Sequence, residues 1–159
     1  MLMVKSLVFC YLCLHDKDFY RANKDELEIC ERDEVELKLY RDLKIRSSMG
    51  EVEVKALLDT GASFTVVRRG LAEKIGHMLP TDVKEVTLTE GGTKLNVIGY
   101  IPISTSIEGV PIDDVAYVIE KLAEEIIIGA KVMRFYDIKL DLAKNKVTIG
   151  KNYTSFELY

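Results

Sequence analysis

The sequence predicts an all-β domain, closed or nearly closed on itself, carrying one or two short helices. Three observations predict it: apolar residues recur at every second position, turn signals interrupt them at short spacing, and only two brief stretches look helical. Of the 159 residues, 48% are hydrophobic and 30% charged, enough apolar material for one domain with a core.

Taken in order, Val35, Leu37, Leu39, Leu43 and Ile45 fall on odd positions, with Arg41 the exception, and so mark a strand with one buried face. Val52, Val54, Ala56 and Leu58 alternate with Glu51, Glu53, Lys55 and Leu57, and the turn signal SSMG (47–50) between the two runs predicts a β-hairpin. RRGLAEKIG (68–76) predicts a short helix closed by Gly76, with Pro80 soon after. Residues 83–103 predict a second hairpin turning at Glu90-Gly91-Gly92-Thr93, where adjacent glycines permit positive φ and leave a light tip. VPIDDVAYVI (110–119) predicts a strand. EEIIIG (124–129) predicts an apolar run stopped by Gly129, followed by a short helix and a strand with Ile138, Leu140 and Leu142. KNKVTIG (144–150) predicts a turn at Lys144-Asn145 and a last strand.

The N-terminal residues differ in character. Residues 16–42 hold ten acids and six bases, a net charge of −4 and as much as the entire chain carries. The expected organisation is therefore a segment 1–34 (an acidic helix, a linker or a regulatory arm) and one domain over 35–159. SLVFCYLCL (6–14) is too short to span a bilayer, and HDKDF follows it instead of a small-residue cleavage site, so a membrane partner and secretion are not expected. Three cysteines, Cys10, Cys13 and Cys30, fit free thiols in a reducing cytoplasm better than a disulfide framework. Cys10, Cys13, His15 and Cys30 have zinc-ligand chemistry, but a single CxxC inside an apolar run favours buried thiols, and no metal is expected. No basic cluster exceeds Arg68-Arg69, which argues against a nucleic-acid partner.

The chemistry concentrates in ALLDTGASF (56–64). Here an apolar strand delivers Asp59 toward a buried place, where an ionised carboxylate is costly unless partnered, and small residues follow it. An ordinary strand-end turn, with Asp59 bonding its own loop amides, is the plainer alternative.

The ordered set is more specific than the three-residue string: apolar strand, Asp59-Thr60-Gly61-Ala62-Ser63, Gly-rich hairpin, Ile127-Ile128-Gly129, helix. In that order it resembles the retropepsin-like aspartic proteases over residues 35–150. The resemblance implies a closed acid-protease-like barrel, an aspartic endopeptidase acting on a peptide or protein substrate, and no cofactor. It also implies a homodimer. The chain has one Asp-Thr-Gly, the reaction needs two carboxylates, and an isologous interface brings identical residues together about its axis. By the same resemblance Asp59 is the catalytic acid, Thr60 locks the two loops across the axis, and Gly61 lets backbone approach the carboxylates and the peptide.

Ala62, Ser63, Gly91 and Gly92 would meet the substrate, the two glycines from a flap, and Ile127-Ile128-Gly129 would support the catalytic loop from behind. Ala62 cannot donate a hydroxyl to the aspartate as serine-bearing relatives do, so a less acidic pH optimum is expected. Ser63 stands where the viral enzymes carry a substrate-binding aspartate. A homodimeric binding or assembly module of the same fold, with weak or regulated proteolysis, is the alternative function.

Overall fold

The computed structural model describes residues 38–87 and 92–154. The expectations for residues 1–34, for Cys10, Cys13, His15 and Cys30, and for Gly91 at the flap tip lie outside the described residues. In chain order the elements are β1 (Leu39–Ser47), β2 (Gly50–Leu58), β3 (Val66–Arg68), α1 (Arg69–Ile75), β4 (Glu85–Thr87) and β5 (Lys94–Ile107). They continue with β6 (Val110–Ile119), β7 (Ile126–Ile128), α2 (Ala130–Phe135), β8 (Ile138–Asp141) and β9 (Lys146–Ile149).

One seven-stranded sheet runs β1-β2-β7-β3-β6-β5-β4, and β1 also meets β5 through Arg46 and Ser104. That last pairing closes the ring, so the all-β barrel with two short helices is the observed architecture. Closure removes the open edges that would otherwise invite pairing with other chains. A separate two-stranded ribbon, β8-β9, follows α2 and turns at Asn145, which sits at φ 51°.

Alternation decides the first hairpin. Leu39, Leu43, Ile45, Val54, Ala56 and Leu58 are buried, and β1 pairs with β2 in unbroken antiparallel register from Leu39↔Leu58 to Ser47↔Gly50. The alternation stops at Leu57, which is buried as well. Leu57 joins a second apolar cluster with Ala62, Val66, Val97, Ile119, Leu122 and Ile127, distinct from the main core. At its Leu57-Leu58 end β2 is therefore covered on both faces, and its last residues read as a continuous apolar run.

Three details depart from the expected elements. The helix expected over 68–76 spans Arg69–Ile75, with the Gly76 N–H bonded to the Ala72 carbonyl at 3.0 Å. The strand expected to include Leu142 ends at Asp141, and Leu142 is exposed because the chain is already turning there. β3 was not anticipated: three residues are too few to show a period, and its place is set by parallel pairing with β6 and antiparallel pairing with β7. The dominant partner of β5 is β6, in register from Val97↔Ile119 to Ile107↔Val110 with an irregularity between Val97 and Gly99. Among the described residues, β4 pairs with Lys94 to Asn96 at the start of β5.

Candidate active site

β2 ends in the buried pair Leu57-Leu58, and these lie parallel to Ile127 and Ile128 of β7. The pairing carries one step further: the Asp59 N–H donates to the Ile128 carbonyl at 3.1 Å. Asp59 is half-buried, and its carboxylate Oδ1 accepts the Gly61 N–H at 2.8 Å. The Ala62 N–H returns to the Asp59 carbonyl at 3.2 Å, which closes a tight turn. This local bonding is what the plain-turn alternative predicts, so the carboxylate geometry alone does not separate a turn from a reaction centre.

The loop is gripped from outside itself. The Ala62 carbonyl accepts the Ala130 N–H at 2.6 Å, and the Ser63 carbonyl accepts the Lys131 N–H at 3.0 Å. The Thr65 carbonyl accepts the Tyr117 N–H at 3.0 Å, and the Thr65 hydroxyl oxygen accepts the Gly129 N–H at 3.3 Å. Close approach explains the glycine: a Cβ on Gly129 would stand 2.4 Å from both the carbonyl carbon and oxygen of Phe64. No larger residue fits there without moving backbone. Ile127, Ile128 and Gly129 thus support the loop, as the resemblance implied.

The five motif residues stand together but present different faces. Ala62 is buried at 1% exposure, Asp59 and Gly61 are half-buried, and Thr60 and Ser63 are exposed. Gly92, at φ 63°, belongs to the turn that joins β4 to β5 and adopts the left-handed conformation that glycine favours. Between the motif loop and the arm of that hairpin lies a cavity of about 230 Å³. Ala62, Ser63, Phe64 and Val66 line one side, Val83, Glu85, Val86 and Thr87 another, with Tyr117 between them. A pocket of this size and lining accepts an apolar side chain. The Phe64 ring meets Tyr117 edge-on at 5.6 Å, and the Lys131 ammonium lies 5.7 Å from its centroid.

Sequence reasoning missed Phe64, Val66, Val86 and Tyr117 as cleft residues, because their convergence depends on β3 docking between β6 and β7. It also missed Asp114, on β6. Burial pushes the Asp114 carboxyl above its ordinary value, while the Thr65 hydroxyl, the Val115 N–H and the Lys131 charge pull it part of the way back. Thr65, at 2% exposure, was visible as the residue closing the TGASFT run. Among the described residues no group of His, Cys, Asp and Glu could hold a metal ion, and no helix is long and apolar enough to cross a membrane.

Comparison with known proteins agrees with this geometry. The family described as "gag-polyprotein putative aspartyl protease" matches residues 45–134. The protein DDI1 homolog of Leishmania major is 30% identical over 108 residues, covering 67% of this chain and 28% of that protein. The human protein DDI1 homolog 2 is 26% identical over 98 residues, covering 61% of this chain and 25% of that protein. The chain thus spans under a third of the length of the curated relatives it matches. Among solved structures, the retroviral protease-like domain of Ddi1 from Leishmania major superposes with a TM-score of 0.53 at 27% identity. That superposition covers 70% of this chain and 87% of the domain. With the matched segment running from β1 into α2 and containing the Asp-Thr-Gly loop, the chain belongs to the retropepsin-like aspartyl protease family.

Proposed function

We propose that this chain is one half of a homodimeric aspartic endopeptidase, in which Asp59 from two copies activates a water for peptide-bond hydrolysis. The observation that carries it is the loop itself. A single half-buried carboxylate stands at the end of a buried strand, while the adjacent Thr60 is exposed and available to a second copy. A family member with one Asp-Thr-Gly per chain completes its pair by symmetry.

Two carboxylates within a few ångströms cannot both ionise cheaply, so the pair holds one proton. The ionised member accepts a proton from the trapped water, whose oxygen attacks the scissile carbonyl carbon. The protonated member donates its hydrogen bond to the carbonyl oxygen as that oxygen gains charge. Collapse of the resulting diol breaks the C–N bond, and a proton passes from the pair to the leaving amine. As the carboxyl product forms, a hydroxyl of the diol returns its proton to the pair, which again holds one proton.

The chain's own contribution is positional. The Gly61 N–H fixes the rotamer of Asp59, and the bonds from Ile128, Ala130 and Lys131 hold the loop against shifting during the reaction. Ser63 and the cavity beside Val66, Val86 and Tyr117 receive the extended peptide, whose backbone pairs as a strand would. The sparse cysteines keep a reducing cytoplasm as the proposed compartment.

The test is cleavage of a peptide library across pH by the wild type and by Asp59→Asn, with a transition-state-mimicking inhibitor of aspartic proteases as control. Inhibitable cleavage that disappears in the variant is the expected result. Unchanged peptides at every pH, from a protein that still dimerises, would favour the binding or assembly module.

A further inference from the structure

Phe64 divides two cavities. On one side lies the cavity of about 230 Å³ beside the β4–β5 hairpin, and on the other a larger one of about 830 Å³. Ser63 and Phe64 line both, so the larger cavity continues the cleft beyond Phe64, where β6 and α2 bound it. The divider is braced from both sides. Tyr117, in the smaller cavity, meets the Phe64 ring edge-on at 5.6 Å, and Lys131, in the larger, places its ammonium 5.7 Å from the ring centroid.

The larger cavity gathers apolar side chains that the fold leaves uncovered. Phe64, Val115 and Phe135 are all exposed, and all three line it. A single exposed apolar residue needs no explanation, but three around one concavity make a seat for another apolar group. The charged residues of the same wall differ in how far they are engaged. The Asp113 carboxylate accepts the Ser104 hydroxyl at 2.6 Å, and Lys131 lies against Phe64 and shares the wall with Asp114. Arg134 is exposed beside Phe135 at the end of α2, and among the described residues no side-chain hydrogen bond or ion pair engages its guanidinium. A guanidinium next to an exposed phenyl ring suits an apolar side chain with a neighbouring carboxylate, which two parallel N–H donors can grip.

We propose that the cavity between β6 and α2 is an outer subsite of the substrate cleft, taking a large apolar side chain and an adjacent acidic residue from the flank of the polypeptide substrate. That the occupant is a substrate rests on the protease reading above; that the cavity binds such a segment does not. Holding the substrate at a second point, away from the reacting bond, strengthens ground state and transition state alike. It therefore lowers KM and leaves kcat nearly alone.

The experiment has two arms, both on the full chain. In the first, the wild type cleaves a peptide library with a fixed cut site and randomised flanks. Cleaved peptides should be enriched in Phe, Leu or Tyr next to Asp or Glu, at one constant distance from the cut. For a peptide carrying that pair, kcat/KM should be about fivefold above that of the same peptide with glutamine for the acid, most of it in KM. In Arg134→Glu that advantage should reverse, and a peptide with lysine in place of the acid should become the preferred one. Phe135→Ala should lower the gain from the apolar residue about fivefold and keep the preference for the acid.

The second arm removes catalysis. A random peptide library is displayed against Asp59→Asn, and against Asp59→Asn combined with Arg134→Glu. The first protein should select apolar–acidic pairs and the second apolar–basic pairs. Flank preferences that are identical in wild type and Arg134→Glu, or a display selection in which nothing depends on position 134, would overturn the proposal; a second copy already covering the cavity would give that result. If the wild type cleaves nothing while the displayed peptides still reverse with Arg134→Glu, the protease reading fails and the binding site stands.

Discussion

The Asp-Thr-Gly loop and the β4–β5 hairpin face the same cavity and are held in opposite ways. Residues 59–65 exchange backbone hydrogen bonds with β7, with the first turn of α2 and with β6, and sit over the buried residues Ile127 and Ile128. Among the described residues, β4 pairs with β5 from Glu85↔Asn96 to Thr87↔Lys94 and buries Val86 only partly. The ion pair of Lys94 with Glu85, at 3.8 Å, is exposed and contributes little. The lesson is a division of labour. Residues 59–65 are fixed by the core, and the described part of the covering strand has fewer such ties; in the proposed protease it would be the lid that opens for substrate.

The comparison can be broken first at the acid. Asp59→Asn should remove cleavage by about 10²–10⁴-fold or more, the range for losing an acid–base group, while leaving the unfolding midpoint nearly unchanged. A large loss of stability in that variant would mean that Asp59 serves the turn more than the chemistry. Next comes the support. Ile128→Ala deletes a side chain at 1% exposure and should cost about 2–5 kcal/mol in denaturant unfolding. Gly129→Ala must push backbone apart at Phe64 and should cost about 1–3 kcal/mol, with a matching fall in kcat. Val86→Ala, on the hairpin, should cost under about 1 kcal/mol and change KM more than kcat. Equal costs for Ile128→Ala and Val86→Ala would erase the distinction between the two regions.

A smaller effect sharpens it. The Asp114 carboxyl titrates above its ordinary value in the folded protein, so the folded state binds its proton more tightly than the unfolded chain does. The stability this proton contributes is present at acidic pH, below the unfolded value. It is lost as pH rises through the folded value. Asp114→Asn should therefore gain in melting temperature relative to wild type as pH increases, with the difference smallest at acid pH. A difference that is flat with pH would show that burial does not hold the carboxyl up.

Much of this was legible in the sequence, for physical reasons that particular residues make plain. Leu43, Ile45, Val54 and Ala56 announced the first hairpin because a half-buried strand must alternate. Asp59 stood out because a carboxylate after Ala-Leu-Leu has no local reason to be there. Gly129 marked the end of an apolar run, although its true constraint, the Phe64 backbone, is 65 positions away in the chain and invisible locally.

What stayed hidden was of that long-range kind. Val66, Val67 and Arg68 form a strand only because β6 and β7 stand on either side. Tyr117 looked like one more alternating residue of β6, and only the docking of Phe64 against it turns it into a wall of the cleft. Asp114 read as half of an acidic pair, Asp113-Asp114, on a strand.

The central claim is that each chain supplies one acid to a shared centre, and subunit mixing tests it most directly. Cleavage is measured as wild-type protein is titrated with Asp59→Asn under conditions of free exchange. The rate should rise with the square of wild-type concentration while the dimer is sparse, and excess variant should suppress it by capturing wild-type chains in inactive pairs. A rate strictly proportional to wild-type concentration and indifferent to the added variant would contradict the shared centre.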